Sequence, residues 1–297
     1  MTLLYISFLF IQDIMEHNFN IESGLQFLSR IKVRPTLKDI DKKLFPNGLL
    51  NNETVEISGN SSSGKTILMT QLIAKCILLD HYDDKIIGGL GVNVVFINTD
   101  HHFMIVRLRN LLVEMSKKNE DITDDNKLMI DNIVKQSMCN LTILSCYSNL
   151  QYAVVMQTLN DILLRDDKIG LVAIDSIAAY YWQDRENGGD WMMNRYIQNV
   201  LKSFQKHTFA SKVPLIYTKL INDESINSTD KSTITCVKES LSGKINYRIK
   251  LIRSDERNEF TCTVQSSENI VGINYTIGDN GIMWSSMKRK RDSSNAE

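Results

Sequence analysis

The sequence has little proline and no organised set of cysteines. Its 297 residues include three prolines and five cysteines, and no two cysteines form a Cys-x-x-Cys pair. The cysteines are Cys76, Cys139, Cys146, Cys236 and Cys262. Their scatter and odd number exclude a disulfide framework and argue against a zinc site. We therefore expect reduced thiols in an intracellular protein.

The sequence also lacks an excess of charge of either sign. Its 34 Lys and Arg residues and 35 Asp and Glu residues give a formal net charge of −1. A protein that coats nucleic acid by bulk electrostatics is strongly basic, so this class is excluded, while a local basic patch stays open. The hydrophobic content of 43% is enough for one large α/β domain with appendages.

The N-terminal apolar stretch is too short to cross a membrane. Residues 3–11 also lack the basic start and the small-residue cleavage site of a signal peptide. We therefore expect no membrane partner. Met15 offers a second translation start, which would make the residues before it an upstream extension. A short packed strand or helix is the alternative.

An octapeptide at residues 59–66 has the pattern of a phosphate-binding loop, G-x-x-x-x-G-K-[ST]. Its members are Gly59, Asn60, Ser61, Ser62, Ser63, Gly64, Lys65 and Thr66. The two glycines let backbone N–H groups point at phosphate oxygens, Lys65 adds a positive charge for the outer phosphates, and the Thr66 hydroxyl can hold Mg²⁺. The sequence predicts a strand before this loop and a helix after it, as a nucleotide site requires. A serine-rich turn between two core elements is the alternative.

The remaining segments alternate between strand and helix patterns. The predicted strands are 53–58, 92–97, 140–146, 170–175 and 213–217, and the predicted helices are 67–79, 103–117, 150–164 and 191–207. Residues 81–91 are predicted to be a polar connection, and 244–253, 259–265 and 273–284 to be antiparallel strands. In the last long helix, the candidate core residues are Met192, Ile197, Leu201 and Phe204. This order predicts an α/β core with an antiparallel extension of its sheet.

Two carboxylates follow apolar strands. Asp175 ends one of them, and in a phosphate-loop fold that position faces the phosphates, where it can hold Mg²⁺ through water; a helix cap is the alternative. Asp100 ends another and is the candidate to orient a water toward the terminal phosphate. His101 and His102 follow it, but adjacent side chains on an extended segment point in opposite directions, so we do not expect zinc there.

Together these motifs resemble the RecA/Rad recombinase family of ATPases. The order of the motifs matches, and the stretch from 175 to 189, with Tyr-Trp-x-Asp-Arg-x-Asn-Gly-Gly, is similar to one eukaryotic paralogue group of that family. Residues 22–25, 74–78 and 96–103 carry the same similarity. The resemblance covers residues 21–189 well and the rest loosely.

The resemblance implies a RecA-like P-loop ATPase core with a mostly parallel central sheet, helices on both faces and an antiparallel C-terminal extension. It divides the chain into an extension at 1–20, a short helical or linker segment at 21–50, an ATP-binding core at 51–286 and a basic, disordered tail at 287–297. It also implies ATP and Mg²⁺ as cofactors, with Lys65 and Asp100 as catalytic residues and with Thr66 and Asp175 at the metal. Arg107 would lie over the adenine ring; a solvated helix arginine is the alternative.

The resemblance further implies homologous-recombination repair of DNA double-strand breaks in the nucleus, within a complex of Rad paralogues, of which the D-type is the expected partner. Lys231, Lys238 and Lys244 would reach DNA directly, or DNA would be held through the complex. Residues 288–291 have the composition of a nuclear import signal or a nucleic-acid tail. Solvated lysines and a solvated tail are the alternatives.

The sequence departs from the family at two positions. Asp100 stands where hydrolysing members carry Glu, and residues 217–220 stand where they carry an Asn-Gln pair that senses the terminal phosphate. We therefore expect ATP binding with weak or no hydrolysis. A competent DNA-dependent ATPase is the main alternative. An interaction module with a vestigial loop and a small-molecule kinase are two more, although the sequence has no arginine-rich lid.

Overall fold

The computed structural model describes residues 23–24, 34–117, 126–221, 245–254, 259–267 and 269–285. The chain divides into two compact units, Met1–Val33 and Arg34–Glu297. The predictions for the N-terminal extension with Met15, for the three loop lysines and for the basic tail lie outside the described residues. Every named strand and helix of the described residues lies in the second unit.

The described part of this unit contains eleven strands. They are β1 (Thr54–Gly59), β2 (His81–Tyr82), β3 (Lys85–Ile86), β4 (Asn93–Asn98), β5 (Leu141–Ser145), β6 (Ile169–Asp175), β7 (Leu215–Leu220), β8 (Tyr247–Ser254), β9 (Glu259–Gln265), β10 (Ile270–Gly278) and β11 (Gly281–Trp284). Nine of them form one sheet in the order β11-β10-β9-β8-β1-β7-β6-β4-β5, while β2 and β3 form a small hairpin.

The sheet is parallel on one side and antiparallel on the other. Strands β8, β1, β7, β6, β4 and β5 are joined by parallel pairs. Strands β8 to β11 continue the sheet through antiparallel pairs. Every residue of β1 and β6 is buried, as expected for parallel strands covered on both faces. The predicted α/β fold with an antiparallel C-terminal extension is confirmed.

Two layers of helices cover the sheet. The helices are α1 (Lys65–Ile77), α2 (Ile105–Ser116), α3 (Lys127–Cys139), α4 (Asn149–Arg165), α5 (Tyr181–Glu186) and α6 (Met193–Ala210). Apolar residues of α1, α2 and α3 join one core cluster, and those of α4, α5 and α6 join another. Within the described residues, no helix combines the length and the apolar character needed to cross a bilayer.

Three local predictions were wrong. The connection at residues 81–91 contains the β2–β3 hairpin, with Asp83 in the left-handed region at φ 51°. The strand predicted at 273–284 is two strands, because the chain turns after Gly278 and Gly281 has φ +92°, which favours glycine. Met192 is 66% exposed, since it precedes the first residue of α6 and does not share the buried face of that helix.

The segment leading to β1 is packed into the core. Leu37, Leu44 and Phe45 are fully buried, and Leu37 pairs with Leu49 in an isolated β-bridge. The buried Arg34 side chain donates hydrogen bonds to the carbonyls of Leu163, Asp166 and Ser211, which lie at the C-terminal ends of α4 and α6. A cation at helix C-termini satisfies carbonyls that have no partner within the helix.

Candidate functional site

The loop from Gly59 to Thr66 joins β1 to α1, as the sequence predicts. Its path depends on its two glycines. A Cβ atom at Gly59 would lie 2.2 Å from the Leu251 carbonyl oxygen, which belongs to the neighbouring strand β8. Gly64 has φ +91° and immediately precedes α1, so an L side chain there would be strained. The backbone of the loop therefore comes closer to the sheet than a larger residue would permit.

The antiparallel extension holds this loop in place. The Tyr275 hydroxyl on β10 donates to the Ser63 carbonyl at 2.6 Å. The Asn60 amide donates to the Arg253 carbonyl at 3.0 Å, and its oxygen accepts from the Arg253 N–H at 3.1 Å. Sequence reasoning missed these contacts, because nothing in the local pattern relates residues about two hundred positions apart. Strands β8 and β10 therefore brace the phosphate loop as well as extending the sheet.

A cavity of about 900 Å³ opens beside the loop. Of the predicted site residues, it is lined by Ser61, Ser62, Gly64, Lys65, Thr66, Asp100 and Asp175. Gly59, Asn60 and Ser63 belong to the loop but are not among the lining residues. Arg107 lies half-buried on α2, and it too does not line the cavity. The structure thus brings the loop together with both predicted carboxylates.

The cavity has further walls that the sequence analysis did not assign. They include His102, Ser176, Trp182, Met193, Thr218, Leu220, Arg253, Phe260 and Ile277. Thr218 and Leu220 end the strand beside β6, so their position at the carboxyl edge of a parallel sheet could have been foreseen. Phe260 and Ile277 belong to the antiparallel strands, and their approach to the loop follows only from the tertiary fold.

Asp175 is almost fully buried at the end of β6. Burial raises the pKa of its carboxyl group, whereas hydrogen bonds from the Thr218 and Thr66 side chains and the charge of Lys65 act in the opposite direction. The Thr218 hydroxyl donates directly to the carboxylate. Asp175 therefore lies among hydroxyl groups, in a place where a nearby cation would stabilise its charged form.

Lys65 lies between the loop and the two carboxylates. Its ammonium group donates to the carbonyl oxygens of Gly59 at 3.2 Å and Asn60 at 2.8 Å. Burial lowers the pKa of Lys65, while the charges of Asp175 and Asp100 raise it. These electrostatic interactions show that both carboxylates lie close to the lysine that the sequence assigns to the outer phosphates.

The site fits a magnesium-bound nucleotide. In the phosphate loop, the buried Ser63 hydroxyl has no hydrogen-bond partner among the described residues. Thr66 and Asp175 supply hard oxygen ligands, which Mg²⁺ prefers together with water and phosphate oxygens. Along the described stretches, no group of three or more His, Cys, Asp or Glu side chains is arranged to hold a metal ion without such help.

The end of β7 lies where the family pattern has its amide pair. Thr218 faces the cavity, whereas the Lys219 ammonium lies 3.0 Å from the buried Glu56 carboxylate. The Tyr217 hydroxyl donates to the same Glu56 oxygen at 2.8 Å. The Lys219 side chain therefore forms an ion pair with Glu56 and does not line the cavity. Of these two neighbouring residues, Thr218 is the one whose side chain can contact a nucleotide.

The adjacent histidines have different surroundings. His101 has φ 55°, stacks on Tyr147 with ring centres 4.4 Å apart, and has its Nε2 atom 2.8 Å from the Cys146 carbonyl oxygen. His102 lines the cavity, and its Nδ1 atom lies 3.1 Å from an Asp100 carboxylate oxygen. The segment is not extended at His101, but the two rings do point to different places.

An exposed aromatic group borders the cavity through Trp182. The Arg185 guanidinium carbon lies 5.5 Å from the centre of the Trp182 ring and 4.9 Å from that of Trp191. Both tryptophans are largely exposed, and Trp182 also lines the cavity. The two rings and the guanidinium form a cation–π arrangement at the surface.

Comparison with known proteins finds relatives among DNA repair and recombination proteins. No protein-family model matches the chain. The "DNA repair protein XRCC2" of Mus musculus is 30% identical over 172 residues, which are 57% of this chain and 56% of the mouse protein. The "DNA repair protein XRCC2 homolog" of Arabidopsis thaliana is 24% identical over 262 residues, covering 75% of this chain and 69% of the plant protein.

A solved structure shares the fold. The crystal structure of the RadB recombinase superposes with a TM-score of 0.56 at 15% sequence identity, over 81% of this chain and 94% of that one. At this identity the match concerns the fold alone. The predicted resemblance is confirmed: the chain is similar in sequence to the DNA repair protein XRCC2 over about half of the mouse protein's length, and it shares the fold of the RadB recombinase.

Proposed function

We propose that the chain is an ATP-binding recombinase paralogue that acts in homologous-recombination repair of DNA double-strand breaks. It would work in the nucleus as a subunit of a Rad-paralogue complex, with weak or no ATP hydrolysis. The observation that carries this proposal is the cavity in which the phosphate loop, Thr66 and Asp175 converge, in a homologue of a DNA repair protein.

In this proposal the loop N–H groups and Lys65 hold the phosphates of ATP. Thr66 holds Mg²⁺, with Asp175 acting on the same ion through water. Mg²⁺ would supply charge neutralisation at the phosphates. The burial of Asp175 favours such a cation, because a carboxylate away from water is stabilised by a positive neighbour. Arg107 is assigned to the adenine ring, where its planar guanidinium can lie over the base.

Weak hydrolysis follows from the groups that would position a water. Asp100 is one methylene shorter than Glu, and its carboxylate already contacts His102. Thr218 is engaged with Asp175, and Lys219 is engaged with Glu56, so neither residue supplies the amide that the family pattern has at the end of this strand. A misplaced catalytic group costs on the order of 100-fold in rate.

The partner surface proposed here is the β5 edge of the sheet. Strand β5 has a partner on one side only among the described strands. Ile143 on this strand, Tyr147 after it, and Leu150 and Val154 on α4 are exposed apolar residues near that edge. Unpaired edge strands bordered by apolar side chains favour pairing with another chain. A D-type Rad paralogue is the proposed occupant.

Besides the paralogue, DNA is a proposed partner, held by this chain directly or through the complex. The described residues that suit single-stranded DNA are Trp182, Arg185 and Trp191. Exposed aromatic faces stack on bases without regard to sequence, and an arginine adds attraction to the phosphates. These three side chains support the proposal of DNA binding, although the chain as a whole carries no net positive charge.

The proposal is tested with the purified chain, alone and with its D-type paralogue. ATP affinity and turnover are compared for the native chain and Lys65→Ala, with and without single-stranded DNA. We expect Mg²⁺-dependent ATP binding that Lys65→Ala abolishes, together with negligible turnover. DNA-stimulated turnover that is lost in Lys65→Ala would instead establish the competent ATPase. No ATP binding by the native chain would leave an interaction module with a vestigial loop.

A further inference from the structure

His102 is the histidine of the described chain whose side chain lines the nucleotide cavity. Its Nδ1 atom lies 3.1 Å from an Asp100 carboxylate oxygen, close enough for a hydrogen bond or an ion pair. Both side chains are solvent-accessible, so the pair contributes little to stability. A contribution to stability therefore does not account for the position of His102 at the cavity wall.

The pair lies at the outer-phosphate end of the cavity. Asp100 lines the same cavity as Lys65, the lysine that the sequence assigns to the outer phosphates. His102 contacts the Asp100 carboxylate and therefore lies at the same end. ATP has one phosphate more than ADP, and this terminal phosphate would extend toward His102 and Asp100.

We propose that His102, held by Asp100, is a binding residue for the terminal phosphate and favours ATP over ADP when its ring is protonated. This rests on the proposed function, since it concerns the same nucleotide site. An imidazolium donates a charge-assisted hydrogen bond to a phosphate oxygen. A neutral ring leaves the Asp100 charge uncompensated beside that phosphate, which weakens ATP binding.

The charged groups lining the cavity in the described chain are Asp100 and Asp175, which are acidic, and Lys65 and Arg253, which are basic. Histidine is the side chain type whose charge ordinarily changes between pH 5 and 8. A protonated ring would therefore strengthen the preference for ATP over ADP, and this preference is compared at pH 6 and pH 8.

The test measures dissociation constants for a non-hydrolysable ATP analogue and for ADP at pH 6 and pH 8, with saturating Mg²⁺. Three full-length proteins are compared: the native chain, His102→Gln and His101→Gln. His101 is the matched control, because it stacks on Tyr147 and does not line the cavity. Since terminal phosphates also titrate in this range, the variants are compared with the native chain at each pH.

We expect the native chain and His101→Gln to lose on the order of fivefold in the ATP-over-ADP preference between pH 6 and pH 8, an effect typical of one exposed charge pair. His102→Gln should lose most of this pH dependence while binding ADP as tightly as the native chain. An unchanged pH dependence in His102→Gln would overturn the inference but leave the proposed function intact. No ATP binding by the native chain would overturn both.

Discussion

At the scale of single residues, the site depends on how two carboxylates are surrounded. Asp175 is buried among hydroxyl groups, whereas Asp100 is solvent-accessible and pairs with His102. The same residue type therefore meets two different dielectric environments within one cavity. The buried group suits a structural role at a cation, and the exposed group suits contact with the reacting end of a nucleotide.

The raised pKa of Asp175 predicts a pH-dependent stability in the absence of nucleotide. Burial raises this pKa from its ordinary value of 3.8, so the folded chain binds the proton more tightly than the unfolded chain does. The associated stability is present below about pH 4 and is lost as the pH rises through the folded-state pKa. In Asp175→Asn this loss should disappear.

Urea denaturation between pH 4 and pH 7 measures this difference in the free energy of unfolding. The control is Asp161→Asn, an exposed position on α4, which should follow the native profile. Parallel profiles for Asp175→Asn and the native chain would mean that burial of Asp175 does not penalise its charged form.

At the scale of elements, Arg34 fixes the ends of two helices. Its guanidinium donates to the carbonyls of Leu163, Asp166 and Ser211 while being 5% exposed. Because α4 and α6 cover the same face of the sheet, this one side chain holds the start of the unit to that layer.

We expect Arg34→Ala to lower the free energy of unfolding by about 3 kcal/mol, since buried carbonyls lose charged donors and a packed side chain is removed. Arg165→Ala, at an exposed position on α4, should change stability by less than about 0.5 kcal/mol. Chemical denaturation of the two variants provides the comparison. Equal losses in both would argue against a specific role for Arg34.

At the scale of the whole molecule, the two ends of the sheet differ. Its antiparallel end braces the phosphate loop through Tyr275 and Arg253, and its opposite end, at β5, is an edge bordered by exposed apolar residues. The nucleotide cavity also reaches Asp100 after β4, the neighbour of β5, so nucleotide binding and partner binding would use adjoining parts of one sheet.

The partner proposal predicts that Leu150→Asp weakens association with the D-type paralogue, because a charge would be buried at the interface. We expect at least a tenfold rise in the dissociation constant, with ATP affinity unchanged. Leu128→Asp is the matched control, since Leu128 on α3 is 78% exposed and α3 packs into a different core cluster from α4, which carries Leu150. Association with the paralogue is measured by titration calorimetry. If both variants bind equally more weakly than the native chain, the interface lies elsewhere.

The sequence alone determined the α/β class, the position of the phosphate loop and the two strand-end carboxylates. These follow from local rules, because periodicity and the spacing of glycines, Lys65 and Thr66 act within a few residues. The limits of α1 and β6 differ by at most two residues from the predicted 67–79 and 170–175.

Only the tertiary structure decided which side chains meet at the cavity. Tyr275 reaches Ser63 across 212 positions, Thr218 reaches Asp175 across 43, and Lys219 turns away toward Glu56. Contacts of this kind depend on strand order and register, which no local pattern encodes. Met192 failed as a core residue for the same reason: whether an apolar side chain is buried depends on where its helix begins and what covers it.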